Sequence, residues 1–172
     1  MSCLKVKFDQ LINAAPEEMD ALLERFSELR ATYPAEMTSS LVLPLLQLTQ
    51  EAKGHLAESD AVFIADYLGV PAMQVMEALC WYTMLYREPV GRHVIKVCRN
   101  ISCSLMGAGR LIGYLERKLG IRQGETTADG RFTLLAVECL ASCGTAPAMQ
   151  INDTYHEHLN ETRVDQILKE LP

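Results

Sequence analysis

The chain has 172 residues, a formal net charge of −6 and an apolar fraction of 49%, which suits a globular protein of one or two small domains. No apolar run approaches the roughly 20 residues that a bilayer span requires. The acidic charge disfavours nucleic acid and direct membrane contact, because phosphates repel it. The opening residues lack a secretory signal pattern, so we expect a cytoplasmic protein with reduced thiols.

Helical patterns fill the first half of the chain. A first helix is predicted from Pro16, with acidic residues in its first turn, to Tyr33–Pro34. A second begins at a Ser39 or Ser40 cap and ends at Gly54. Both helices carry apolar residues at helical spacing, which indicates that each buries one face.

Two more helices follow in the same half. The third is predicted from a Ser59–Asp60 cap to Gly69, and the fourth from Pro71 to about Tyr86. We therefore expect residues 1–88 to form an N-terminal helical bundle.

Strand and helix patterns alternate in residues 89–172. The predicted elements are a strand over about 93–98, a helix over about 106–119, strands over 131–139, 148–152 and 154–156, and a helix over about 161–171. A strand, a helix and a second strand in succession most often form a parallel unit. A hairpin and a last helix would complete a thioredoxin-like sheet, so the predicted class is α+β.

Four cysteines fall in two pairs within this second half. Cys98 and Cys103 belong to "VCRNISC", whereas Cys139 and Cys143 belong to "VECLASC". If the strands before the two pairs are parallel neighbours, Cys98 and Cys139 emerge at one edge of the sheet, where open α/β folds place ligands. All four sulfurs could then surround one small volume.

The spacing of the pairs favours a 2Fe-2S cluster over zinc. Structural zinc sites typically use tight two-residue spacing, whereas two separated pairs match the two irons of a cluster. Three nearby glycines, Gly107, Gly109 and Gly144, would let backbone amides approach the sulfurs. Zinc and unligated or disulfide-forming cysteines remain alternatives at this point, and the absence of a Cys-x-x-Cys motif disfavours a thioredoxin-type redox site.

Three further patterns have simpler explanations. "GAGRLIG" (107–113) is similar to a dinucleotide fingerprint, but a cysteine loop separates it from the strand. The segment 64–79 has helix-turn-helix spacing, yet its second helix carries only the negative charge of Glu77. His156 and His158 are expected on one face of a strand, as a solvated edge rather than a metal site.

The apolar segment 73–86 predicts buried side chains. We expect Cys80 to be a small buried residue and the methionines at 73, 76 and 84 to fill the core. Aromatic residues of this segment that stay exposed would make anchors for a partner subunit.

The run from Pro89 to Asp153 resembles the NuoE family, the thioredoxin-like 2Fe-2S subunit (24 kDa type) of respiratory complex I, NADH:quinone oxidoreductase. The motifs that carry the resemblance are Cys-x4-Cys, "LGIRQGETTADGRFTL" and Cys-x3-Cys-Gly. The similarity extends back to about Pro16 and includes "WYTMLYREPVG" (81–91). It implies an N-terminal helical bundle followed by a thioredoxin-like 2Fe-2S ferredoxin domain.

The resemblance also implies a cofactor, ligands and partners. One 2Fe-2S cluster would be held by Cys98, Cys103, Cys139 and Cys143, while FMN and NAD would be bound only in a partner flavoprotein subunit. With other peripheral-arm subunits, the chain would belong to the cytoplasmic arm of an inner-membrane complex. As a subunit it would serve an oxidoreductase, but alone it would not oxidise NADH.

Two alternative assignments of the chain stay open, and two parts of its sequence depart from the family pattern. The chain could be the equivalent diaphorase subunit of an NAD-linked hydrogenase or formate dehydrogenase, or a zinc-stapled helix-turn-helix module. Ala141 stands where the family usually has Gly, and residues 154–160 depart from the family pattern.

Three cations, Lys96, Arg99 and Arg110, would raise the reduction potential if they lie close to the cluster.

Overall fold

The computed structural model describes residues 16–172. The backbone forms two compact units, one ending at Pro89 and the other spanning Val90–Pro172. Helices dominate the first unit, and the second combines helices with a four-stranded sheet. The fold class is therefore α+β, as predicted. None of the described helices is both long enough and apolar enough to cross a bilayer.

The described part of the first unit holds four α-helices. They are α1 (Pro16–Ala31), α2 (Val42–Lys53), α3 (Glu58–Leu68) and α4 (Ala72–Trp81), with a 3-10 turn at Thr38–Leu41. Gly54 and Gly69 end α2 and α3 in the left-handed conformation, with φ of 81° and 69°, which a residue with a Cβ adopts only at a cost. The predicted ends of these two helices are confirmed.

One apolar cluster holds the first unit together, and each helix contributes to it. Its most deeply buried members include Phe26, Leu45, Leu46, Ile64, Val75 and Leu79. An ion pair joins α2 to α3 at the edge of this cluster: the Nζ atom of Lys53 lies 2.6 Å from each carboxylate oxygen of Asp60. The same carboxylate accepts the Ala57 amide at 2.8 Å. It thereby caps α3, which begins at Glu58 rather than after a Ser59–Asp60 cap.

Helix α4 is shorter than predicted, because it ends at Trp81 instead of Tyr86. Tyr82 is extended, and the chain then returns to α2, where the Tyr86 amide donates to Gln50 Oε1 at 2.5 Å. The Tyr86 carbonyl accepts the Leu56 amide at 2.8 Å. Contacts with another helix, which local periodicity does not encode, end the helix early.

The predicted burial of Cys80, Met73 and Met84 is wrong. Cys80 is exposed, Met73 is 69% exposed and Met84 is 44% exposed. Helical spacing places the first two with Trp81, which is 82% exposed, on the side of α4 opposite its buried residues. The helix is apolar on more than one face, so periodicity alone did not identify the buried one.

The second unit is built on a four-stranded sheet in which the strands lie in the order second, first, third, fourth, counted along the chain. The strands are β1 (His93–Cys98), β2 (Phe132–Val137), β3 (Met149–Ile151) and β4 (Thr154–His156). Strands β1 and β2 are parallel, while β3 is antiparallel to both β1 and β4. This is the thioredoxin-like arrangement expected from the alternating pattern.

Three α-helices accompany the sheet: α5 (Ile101–Leu105), α6 (Ala108–Leu119) and α7 (Glu161–Glu170). Strand side chains pack with residues of α6 and α7 in one core, whose members include Ile95, Val97, Leu115, Leu134, Met149, Val164 and Leu168. β-branched residues suit the strands, because their stiff side chains pack well on a pleated surface.

The helix predicted over about 106–119 is confirmed as α6. The loop that carries the first two cysteines also holds a short helix, α5, which was not predicted, and Gly107 separates the two helices with a φ of 96°. The prediction for His158 is wrong. His158 lies beyond the end of β4 with a φ of 49°. It therefore does not share a strand face with His156.

Candidate metal centre

The ends of β1 and β2 bring the two cysteine segments to one edge of the sheet. In the parallel register, Cys98 pairs with Val137, so Cys139 follows two residues past the paired position. The Arg99 amide donates to the Val137 carbonyl at 2.9 Å and carries the pairing one step further. The predicted meeting of these two strand ends is confirmed.

The first cysteine pair is buried in a pocket of small side chains. Cys98 is 3% exposed and Cys103, on α5, is 2% exposed. They pack with three alanines, Ala108, Ala146 and Ala148. Backbone groups hydrogen-bond to both sulfur atoms, those of Asn100 and Leu140 to Cys98 and that of Ala148 to Cys103. Such bonds are common around thiolates that bind iron.

The second cysteine pair is exposed and lies on a more open loop. The amide of Ala141 donates to the Sγ atom of Cys139 at 3.3 Å. Ala141 itself has a φ of 56°, a left-handed conformation that favours glycine. Cys143 begins a 3-10 turn that ends at Thr145.

The buried pair carries opposite pKa shifts. Burial raises the pKa of the Cys98 thiol, but hydrogen bonds from the backbone of Asn100 and Leu140 and from Cys103 outweigh it, so the net shift is downward. Burial raises the pKa of the Cys103 thiol, and the charges of Cys98 and Cys143 raise it further. The protein thus stabilises a first thiolate at Cys98.

Effects on the pKa values of the buried thiols link three of the four predicted ligands. Cys98 and Cys103 are within hydrogen-bonding reach, and Cys143 acts on Cys103 through its charge. Within residues 16–172, no three His, Cys, Asp or Glu side chains are grouped tightly enough to hold a single metal ion. The set of four ligands remains a prediction.

The donor chemistry fits an iron-sulfur group. All cysteines in the described part of the chain are free thiols, and two of them are buried side by side. Backbone groups donate to the sulfur atoms of both loops, as for Cys139 and Cys98. Thiolate ligands with amide donors around them are what a 2Fe-2S cluster requires.

The three glycines predicted to approach the sulfurs differ in backbone conformation and in the space around them. Gly107 has a positive φ, and the guanidinium of Arg110 would lie 3.0 Å from a Cβ atom added there. A Cβ atom at Gly109 or Gly144 would meet no protein atom within 4 Å. Of these three glycines, only Gly107 is therefore favoured by its backbone conformation, whereas the Arg110 guanidinium is the end of a flexible side chain that can move away.

Charged groups at the ends of the strands pair with one another. Arg99 Nε donates to Glu138 Oε1 at 3.0 Å, and the guanidinium makes a second contact with the same oxygen. Arg99 follows Cys98 directly, and Glu138 precedes Cys139 directly. Of the three cations singled out in the sequence, Arg99 thus forms an ion pair with Glu138, a carboxylate that no sequence pattern indicated.

A second carboxylate that the sequence analysis missed contacts the exposed cysteine loop. Oε1 of Glu157 accepts the hydroxyl of Thr145 at 2.6 Å and also the hydroxyl of Ser142. These donors, Ser142 first, hold the pKa of the Glu157 carboxyl below its ordinary value. Nothing in the local sequence around residue 157 signals this contact.

Comparison with known proteins agrees with the fold. A family model described as thioredoxin-like [2Fe-2S] ferredoxin matches residues 26–172. An E-type subunit (E 2) of NADH-quinone oxidoreductase from Rhizobium meliloti (strain 1021) is 40% identical over 153 residues, covering 89% of this chain and 86% of that protein. The E-type subunit of the same complex from Rickettsia prowazekii (strain Madrid E) is 39% identical over 139 residues, covering 80% and 78% respectively.

A solved structure shares the fold. The crystal structure of an NAD+-reducing [NiFe]-hydrogenase in the air-oxidized state superimposes with a TM-score of 0.65 at 21% identity over 76% of this chain. The match covers 22% of the hydrogenase chain, so this chain spans about a fifth of that protein's length.

A parallel strand pair in which each strand leads into a cysteine loop at the same edge of the sheet, completed by an antiparallel hairpin, defines a thioredoxin-like ferredoxin. The chain belongs to the thioredoxin-like [2Fe-2S] ferredoxin family and, within it, to the NuoE family of NADH-quinone oxidoreductase subunits.

Proposed function

We propose that this chain holds one 2Fe-2S cluster through Cys98, Cys103, Cys139 and Cys143 and serves as an electron-transfer subunit of NADH:quinone oxidoreductase. The observation that carries the proposal is the parallel register of β1 and β2, which brings both cysteine loops to one sheet edge. A 2Fe-2S cluster accepts and returns one electron at a time. In this assembly the exchange would be with FMN in a partner flavoprotein subunit, which also binds NADH.

The chain's own residues have distinct roles in this proposal. The buried pair, Cys98 and Cys103, supplies ligands shielded from water, and backbone donors stabilise negative charge on Cys98. The exposed pair, Cys139 and Cys143, supplies ligands on the open side. An exposed side suits electron exchange, because a partner must come close to the metal centre.

The proposed setting is the peripheral arm of complex I, on the cytoplasmic side of the inner membrane. Relatives that are named as NADH-quinone oxidoreductase subunits support complex I as the parent assembly. The alternative is the equivalent subunit of an NAD-linked hydrogenase or formate dehydrogenase. Isolation of the chain from its native cells distinguishes these possibilities, since copurifying quinone reductase activity supports the first, and hydrogen or formate oxidation supports the second.

The cluster itself is tested on the chain purified without oxygen. We expect brown protein with about two irons and two acid-labile sulfides per chain, and a paramagnetic signal only after reduction. Replacement of each proposed ligand by serine should remove or alter that signal, whereas Cys80→Ser, at an exposed thiol of the helical unit, should leave it unchanged. Colourless protein with stoichiometric zinc, obtained when cluster loss has been prevented, would contradict the proposal.

A further inference from the structure

The two cysteine loops are held in different ways. In the first loop, two side-chain bonds are local: Asn100 Oδ1 accepts the Ile101 amide at 2.8 Å, and the Ser104 hydroxyl donates to the Arg99 carbonyl at 2.8 Å. Arg99 also reaches Glu138, which precedes the second loop. In the second loop, the carboxylate that receives the hydroxyls of Ser142 and Thr145 comes from the segment after β4. The second loop therefore depends on a distant part of the chain.

Glu157 is placed to organise this loop. Ser142 and Thr145 flank Cys143 and Gly144, and their hydroxyls also lie 2.6 Å from each other. One carboxylate oxygen thus joins both ends of the short turn that begins at Cys143. The hydrogen bonds are charge-assisted, which makes them stronger than hydroxyl-hydroxyl bonds.

The backbone reinforces the position of Glu157. The amide of His158 donates to the Thr145 carbonyl at 2.8 Å, and the amide of Leu159 donates to the Pro147 carbonyl at 3.1 Å. Leu159 is buried in the core of the second unit. The segment that carries the Glu157 carboxylate is therefore held in place by backbone hydrogen bonds and by the burial of Leu159.

We infer that Glu157 is a positioning residue for the metal centre: by binding Ser142 and Thr145 it fixes the turn that presents Cys143. The inference rests on the proposed function, because the centre it serves is the proposed 2Fe-2S cluster. Glu157 need not touch the cluster. It restricts the orientations open to the Cys143 thiol, so that the ligand is in place before the metal binds.

The first test measures cluster retention in the full chain purified without oxygen. Transfer of iron to a chelator is followed by visible absorbance for wild type, Glu157→Ala, Glu157→Gln and Asp153→Asn. Glu157→Ala should release the cluster on the order of tenfold faster than wild type, as is typical when a residue supporting a metal ligand is removed. Glu157→Gln, which keeps an acceptor oxygen, should be less affected, and its reduced cluster should show an altered paramagnetic spectrum.

Asp153→Asn is the matched control, since it removes one exposed carboxylate from the β3–β4 turn without touching the loop. It should behave as wild type. Equal release rates and spectra for wild type and Glu157→Ala would overturn the inference.

A second test needs no cluster. In the metal-free chain, the rate at which a thiol reagent labels Cys143 should rise in Glu157→Ala, while labelling of the buried Cys103 should not change. If wild type binds no iron, the proposed function fails, but this labelling still decides whether Glu157 orders the loop. Equal labelling of Cys143 in both chains would overturn the inference.

A double variant covers the case in which Glu157→Ala does not fold. Thr145→Val removes one hydroxyl donor, and Glu157→Gln weakens the acceptor. If the pair acts as a unit, Thr145→Val should accelerate cluster release more in wild type than in the Glu157→Gln background, where the hydrogen bond is already weaker. Full additivity of the two effects would contradict the inference.

Discussion

Arg99 and Glu138 form an ion pair across the ends of the two parallel strands, one residue after Cys98 and one residue before Cys139. Their side chains are 56% and 72% exposed, so the pair contributes little to stability. Its position matters more, because it places two opposite charges beside both cysteine loops.

We expect the pair to set the local charge around the proposed cluster. Reduction adds a negative charge, so Glu138→Gln, which leaves Arg99 uncompensated, should raise the reduction potential, and Arg99→Gln should lower it. Taking each charge to act on the cluster about as strongly as exposed charges act on each other, about 0.2–1 kcal/mol, we expect a shift of roughly 10–40 mV for one electron. Redox titration in low salt measures the shift, and added salt should reduce it.

The charge-neutral double variant is the control for this prediction. With Arg99→Gln and Glu138→Gln combined, the net charge equals that of wild type, so the potential should return close to the wild-type value. A double variant that differs from wild type as much as either single variant would show that contacts other than charge are responsible.

Ala141 carries backbone strain that a single substitution should relieve. Its φ of 56° is unfavourable for a residue with a Cβ atom, so Ala141→Gly should raise the free energy of unfolding of the second unit by about 1 kcal/mol. Urea denaturation measures this change. Ala128→Gly, at an exposed turn position without positive φ, should instead lose stability or leave it unchanged. A destabilised Ala141→Gly chain would contradict the prediction.

Asp60 is the most deeply buried carboxylate of the described chain, with 1% exposure. Asp60→Ala would leave the Lys53 ammonium, which is 16% exposed, without its partner and would remove the acceptor of the Ala57 amide. Loss of one member of a buried pair costs about 3–5 kcal/mol, and we expect the lower end here. Chemical denaturation of the helical unit tests this, with the exposed Glu58→Gln expected to change stability by less than about 0.5 kcal/mol.

The contacts of the Asp165 carboxylate lead us to expect that the second unit loses stability in acid. Lys118 and the Tyr114 hydroxyl, each 2.6 Å away, hold the pKa of the Asp165 carboxyl below its ordinary value of 3.8. The unfolded chain therefore takes up a proton before the folded chain does as pH falls. The contribution of Asp165 is fully present above the ordinary pKa and is lost as pH falls through the folded-state pKa.

Denaturation midpoints of wild type and Asp165→Asn, measured at a series of pH values, test this dependence. The difference between the two chains should be constant from about pH 5 to 8 and should shrink below about pH 4. A difference that grows on acidification would have the wrong sign for this mechanism.

Local patterns were sufficient for most elements of the fold. Gly54 and Gly69 predicted helix ends because the left-handed conformation is a property of the residue itself. The order of strands and helices after Pro89, and the two cysteine pairs, could likewise be read along the chain. The end of α4 was misjudged because Tyr86 binds α2, a contact that no local pattern encodes.

The sequence by itself determined that four thiols lie in two pairs, each following a strand, in a chain whose family resemblance implies an iron-sulfur protein. Tertiary structure decided which thiols are buried, because Cys103 is carried into the alanine pocket by a short helix that periodicity did not predict. It also decided the partners of the loops, Glu138 for Arg99 and Glu157 for Ser142. Hydrogen bonds and ion pairs between residues far apart in the chain depend on strand register and packing, which appear only when the chain folds.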